Sequence, residues 1–174
     1  MRSPRLPFWV INLAIFQVGW LLAALSLPQS AEFMALLVIV HFALSPSLKS
    51  DILLLLLALP GVVMDQLLIS SGILLVEQPV IPAWLTVLWL LFALAIGHSL
   101  SWLQRLPLLA VVVVGAVAGP LSYLAGQKLG ALSLAQPEMT SLAIMAACWG
   151  VILPLLTWLA RDVFPRYLKL QEGT

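Results

Sequence analysis

Charge is scarce: Lys, Arg, Asp and Glu make up 9% of the 174 residues, where ordinary globular domains carry roughly 25%. A soluble surface of this size cannot be covered with so few charges. Those present nearly cancel, eight basic against seven acidic, which excludes a basic patch for nucleic acid and an acidic tail. A single cysteine, Cys148, excludes an internal disulfide and any Cys-x-x-Cys chemistry. With only two histidines beside it, the chain is poorly supplied for zinc, which usually takes three or four His, Cys or carboxylate ligands. His-Glu-x-x-His, a Walker sequence, Gly-x-Ser-x-Gly, a Rossmann fingerprint and paired Asp-rich diphosphate motifs are all missing. Ser, His and Asp occur, but at no spacing that assembles a triad. Recognisable enzyme classes are thereby disfavoured and no cofactor is implied. A membrane-embedded lipid-modifying enzyme with unfamiliar residues is the one catalytic reading left.

What is abundant is apolar: 63% of residues are hydrophobic, seven are Trp, and the mean hydropathy is +1.12. Turn residues and charges divide the chain into six apolar segments, 8–27, 31–48, 52–75, 83–103, 108–129 and 139–160. Each approaches the roughly 20 residues that cross a hydrocarbon core about 30 Å thick. The fold class expected is an all-α polytopic membrane bundle of six transmembrane helices. The connections are too brief for a soluble domain, so residues 1–174 read as one integral membrane domain.

Cytoplasmic loops retain Lys and Arg during insertion. With the N-terminus inside, Arg2, Arg5, Lys49, Arg105, Arg161, Arg166 and Lys169 share the cytoplasmic side and only Lys128 falls outside, with Glu32, Glu77 and Glu138. Both ends are then cytoplasmic. Trp9, Trp102, Trp158 and Tyr167 near inner ends and Trp84 near an outer end suit interfacial rings. Arg2 and Arg5 before an apolar run also resemble a secretory signal, but the run exceeds a typical h-region and contains Asn12, Gln17 and Trp20, so it reads as a retained helix. The second segment is the least secure crossing, because Glu32, His41 and Pro46 shorten its apolar core.

Gly115, Gly119, Ser122, Gly126 and Gly130 recur at three- and four-residue steps in the fifth segment, a small-residue face that lets another helix approach closely and that suggests a central position. Pro60, Pro120 and Pro154 should kink helix interiors, each removing one backbone hydrogen bond.

The most informative single residue is Asp65, since a charged side chain at mid-bilayer costs about 2.5–3.5 kcal/mol on insertion scales. At about 1.5 Å per residue it lies some 21 Å along the third segment, level with Ser122 and Tyr123 on the fifth and with Trp89 on the fourth. Three readings follow: a proton or substrate site, a hydrogen-bonded strut using Tyr123, Ser122 or Gln17, or a carboxylate wetted near the outer surface. Asn12, His98 and Ser101 form a second, inner tier, with His41 placed somewhat deeper. His98 can titrate near neutral pH or ligate something, or simply bond a carbonyl or Asn12. A two-His, one-carboxylate metal site would have to draw on His41, His98 and Asp65, and their different depths argue against it. Cys148 and Trp149 read as packing residues.

The order of Asn12 through Gln17-Val18-Gly19-Trp20, Asp65 with Gly72, Trp84 to Trp89 with Phe92, His98-Ser99-Leu100-Ser101-Trp102-Leu103 and Gly119-Pro120-Leu121-Ser122-Tyr123-Leu124-Ala125-Gly126 resembles a family of small bacterial inner-membrane proteins known only as a domain of unknown function. The resemblance implies a bacterial, multi-pass inner-membrane protein and lends no catalytic residues. The leading expectation is a non-catalytic accessory protein that binds membrane lipids or an apolar small molecule at the tier of Asp65, Ser122 and Tyr123. It would serve a membrane enzyme partner or a homo-oligomer. The alternative is a proton-coupled transporter with Asp65 as its protonation site.

Overall fold

The computed structural model describes residues 6–25, 27 and 29–166. Arg2, Arg5, Tyr167 and Lys169 therefore lie outside the described residues. The helices are α1 (Phe8–Leu25), α2 (Ser30–Leu44), α3 (Leu48–Leu54), α4 (Ala58–Ser70), α5 (Ala83–Gly97), α6 (Leu108–Lys128) and α7 (Glu138–Trp158). A 3-10 turn, Leu55–Leu57, joins α3 to α4, so the two make one rod. Among the described residues six helical rods result. Four, Phe8–Leu25, Leu48–Ser70, Leu108–Lys128 and Glu138–Arg166, are long and apolar enough to cross a membrane. The other two, α2 and α5, have 15 residues each, about 22 Å of rise.

Proline and glycine set most of the ends. α5, α6 and α7 begin directly after Pro82, Pro107 and Pro137, all in extended backbone. A helix start has free N–H groups in any case, so a residue lacking one costs nothing there. Pro46 acts in the opposite sense: it holds Ser45 extended (ψ 135°) and stops α2 at Leu44 rather than at 48. Pro60 lacks the N–H that would bond Leu56, and the chain tightens into the 3-10 turn at that point.

At the far end of two rods the same stop recurs. Gly72 (φ 71°) and Gly130 (φ 88°) take left-handed conformations. Around them Gly72 and Ile73 donate to Ile69 and Leu68, and Gly130 and Ala131 donate to Gln127 and Gly126. Both are Schellman closures, which satisfy the last helix carbonyls. Each leads into a two-residue strand, β1 (Leu74–Leu75) and β2 (Ser133–Leu134). These pair antiparallel, Leu74 opposite Leu134 and Leu75 opposite Ser133. The third segment thus ends at Ser70 instead of 75, at the Gly72 stop, and Gly130, expected on the packing face, is a helix stop as well.

The central element is α5, not α6. It packs against α1, α2 and α4 and reaches α7, and Leu91, Ala93, Leu94, Ala95 and Ile96 are buried. It stops at Gly97, six residues short of the expected 103, and continues as a turn and a 3-10 helix, Ser101–Arg105. α6 instead pairs with α7: a Cβ at Gly119 would strike the Trp149 indole, and one at Gly115 would strike the Trp149 carbonyl. Outward faces are largely apolar, as in Ile52, Leu56, Leu59, Val63 and Leu67 along one rod and Leu109, Val113, Val117 and Leu121 along α6, all more than half exposed. Steps of three and four place each set in one stripe, a surface that water would not tolerate and lipid would.

Candidate functional site

Asp65 faces α5. It shares its helix face with Gly61, whose missing Cβ makes room for the Trp89 ring. Trp89 Nε1 then donates to Asp65 Oδ2 at 2.6 Å, and the Tyr123 hydroxyl donates to Oδ1 at 2.5 Å. The carboxyl is fully buried. Both carboxyl oxygens are thus bonded, and the contacts join α4, α5 and α6. Ser122 and Gln17 do not reach it: Ser122 Oγ accepts from Trp20 Nε1 at 2.9 Å, linking α1 to α6.

Around that link lies a cavity of about 640 Å³. Its walls are Phe16 and Trp20 from α1, Trp84, Trp89 and Phe92 from α5, Ser122 and Tyr123 from α6, and Trp149 from α7. Trp89 and Trp149 stack with centroids 5.3 Å apart and an 18° interplanar angle. Gln17, Trp102 and Leu121 also border the cavity and are exposed, so it opens at the outer surface of the bundle. Among the described residues Trp149 Nε1 is the one buried side-chain donor or acceptor without a hydrogen bond. Asp65 is absent from the cavity lining; it acts on the cavity by fixing Trp89 and Tyr123.

A second polar cluster sits where α1 and α3 begin and α2 and α5 end. Asp51, expected in a loop, lies in the first turn of α3 and is fully buried. His41 Nε2 lies 3.0 Å from its Oδ2, and His98 Nε2 lies 2.8 Å from its Oδ1. The Ser45 hydroxyl donates to Oδ2, and Ser47 Oγ approaches Oδ1 at 3.4 Å. Asn12 Nδ2 lies 3.3 Å from His41 Nδ1. On its other side Asn12 Oδ1 accepts from Ser99 N at 3.1 Å and from Ser99 Oγ at 2.5 Å. A backbone N–H can only donate, so it fixes the Asn12 amide. The amide in turn makes His41 Nδ1 an acceptor and leaves the proton of neutral His41 on Nε2, facing Asp51.

This cluster corrects the sequence reading in three respects. His41 and His98 are level, with ring centroids 5.4 Å apart. The carboxylate beside them is Asp51, and Asp65 belongs to the other cluster. Asn12 bonds His41 and Ser99, while His98 bonds Asp51. The signal was available: His41 precedes Lys49 by eight residues and His98 precedes Arg105 by seven. Two rods running the same way place such residues at one height. His41, Asp51 and His98 offer one ligand atom each, all within 4.8 Å of one another, the chemistry of a two-His, one-carboxylate metal site.

Fold and sites together define a helical-bundle protein with four helices long and apolar enough to cross a membrane, an aromatic cavity and two buried carboxylates. The chain belongs to the DUF2878 family, proteins of unknown function, whose family model matches residues 9–155. No curated protein and no solved structure matches it.

Proposed function

We propose that the chain is a bacterial inner-membrane protein of six crossings, both ends cytoplasmic, that binds a lipid chain or an apolar small molecule without catalysing its conversion and serves a membrane enzyme or a second copy of itself. The observation that carries this reading is the aromatic cavity. Its volume of about 640 Å³ falls within the roughly 300–1,000 Å³ of small-molecule sites, which are mostly apolar with a few placed polar groups. Here those groups are Ser122, Tyr123 and the exposed amide of Gln17. Asp65 holds the wall instead of touching the ligand. The transporter reading draws less support, because both Asp65 oxygens are bonded and the group is enclosed.

Native mass spectrometry of gently extracted protein tests the proposal. One lipid or apolar molecule per chain is expected to survive extraction. Trp20→Ala, which removes a wall ring and the bond to Ser122, is expected to weaken its retention about tenfold, the scale of a buried Trp contact. Nonspecific bulk lipid, indifferent to Trp20, refutes it.

A further inference from the structure

We propose that His41, Asp51 and His98 form a binding site for a divalent first-row transition ion, held by the two Nε2 atoms and one Asp51 oxygen. Three different rods contribute: the end of α2, the start of α3 and the turn after α5. His98 Nε2 lies 2.8 Å from Asp51 Oδ1 and His41 Nε2 lies 3.0 Å from Oδ2, and one ligand atom from each residue falls within 4.8 Å of the others, against the edge of about 3.3 Å that a tetrahedral ion with bonds of about 2.0–2.1 Å imposes on its ligands. Binding requires the Asp51 carboxylate to turn one oxygen between the rings and the two imidazoles to close on it.

The surroundings resemble a second ligand shell, in which partners hold each ligand in place. Ser45 donates to Asp51 and Asn12 contacts His41 Nδ1. The Phe8 ring meets both imidazoles edge-on, with centroids 5.2 Å from His41 and 4.8 Å from His98. His98 alone of the three is partly open, 15% by side chain, so a coordination position facing outward can go to water or a ligand.

Binding has one structural consequence that can be tested. Ligation through Nε2 moves the His41 proton to Nδ1, and Asn12 must then present an acceptor where it now presents its NH₂. The amide has to turn over and surrender its bond from the Ser99 backbone. A carboxylate at position 12 would accept from both His41 and Ser99 without turning. Asn12→Asp should therefore tighten the site, a result that a purely structural polar hub has no reason to give.

The experiment uses the full chain in nanodiscs, stripped with chelator and titrated with Zn²⁺ by calorimetry, with bound metal measured by mass spectrometry and Co²⁺ as an absorption probe. One ion per chain is expected. His98→Ala is expected to lose at least about tenfold in affinity, and Asn12→Asp to gain about 10–100-fold, the range of second-shell effects. His41→Ala removes a fully buried ring and can unfold the protein; the partly open His98 and the Asn12 variant keep the question decidable. Absence of a stoichiometric ion, His98→Ala binding as tightly as the parent, or Asn12→Asp leaving affinity unchanged or weaker would each overturn the proposal.

Discussion

The indole nitrogen of Trp89 can only donate, so the Asp65 oxygen that meets it must offer a lone pair whatever the proton content of the carboxyl. The Tyr123 hydroxyl is more permissive, since it can donate or accept. Asp65→Asn therefore keeps a contact with each, the amide oxygen toward Trp89 and the NH₂ toward the Tyr123 oxygen, and strands the Tyr123 proton alone. Asp65→Leu keeps neither contact and strands both groups in a dry interior, at about 1–3 kcal/mol for each. Thermal unfolding in detergent should place Asp65→Asn about 1–3 kcal/mol below the parent, for one stranded proton, and Asp65→Leu lower still, with two groups stranded. Equal losses for the two variants would end the strut interpretation. Tyr123→Phe, which leaves Trp89 as the remaining donor and one Asp65 oxygen unpaired, is expected to lose about as much as Asp65→Asn. The pairing of Asp65 with Tyr123 was legible in the sequence because helical rise fixes depth and few residues at that depth are polar. That Ser122 serves Trp20 instead was not, since adjacent residues on a helix point about 100° apart and depth says nothing about direction. Asp51 escaped for a related reason: next to Lys49 and Ser50 it has the composition of a loop, and only the packing of α1, α2, α3 and α5 encloses it.

Among the elements, the α6–α7 pair depends on two glycines in a way the bare small-residue pattern does not convey. Gly115, Gly119, Gly126 and Gly130 look equivalent by spacing, yet each meets a different environment. Gly119 and Gly115 admit Trp149, a Cβ at Gly126 would make an ordinary contact with Leu132, and Gly130 has open space but a φ of 88°. Gly150, across the same interface, would place a Cβ 3.7 Å from Val112, a normal contact. Gly119→Ala is accordingly expected to destabilise by about 1–3 kcal/mol through overpacking, and to disturb the Trp89–Trp149 stack that lines the cavity. Gly130→Ala should lose about 1–2 kcal/mol to the left-handed backbone alone. Gly150→Ala should be neutral or gain about 0.5–1 kcal/mol from helix propensity. Denaturation midpoints of the three variants check the order, and a Gly119→Ala protein as stable as Gly150→Ala would show that the helices are not in contact there. Helix existence and most N-termini were readable from apolar runs and proline. The C-termini at Ser70 and Gly97 were not, because the residues beyond them, Ile73 to Val76 and Leu100 to Leu103, are as apolar as the helices. They fold away through a glycine closure and a 3-10 turn that hydropathy does not register.

For the molecule as a whole, the polar contacts sort the connections to two ends of the bundle. At one, Asn12, His41, Asp51 and His98 converge, and Arg161 reaches the carbonyl of Gln104. At the other, the Gln66 side chain bonds Pro79 and Ile81, Gln127 bonds Leu134 and Glu138, and β1 pairs with β2. Lys49, Arg105 and Arg161 belong to the first end and Lys128, with Glu77 and Glu138, to the second, so the excess of Lys and Arg that orients membrane helices falls at one of the two ends the packing creates. If six rods cross, Lys49 and Gln78, both exposed, lie on opposite faces of the membrane. In a Cys148→Ala background, and with both ends inside as proposed, Gln78→Cys should react with an impermeant maleimide added outside the sealed membrane, and Lys49→Cys only after the membrane is opened. Removing Lys49 leaves Arg105 and Arg161 to keep the bias, so the substitution does not itself reverse the orientation. Labelling of both positions from one side would mean that the third rod, which carries both carboxylates, does not cross, and the bilayer cost that singles out Asp65 would vanish with it.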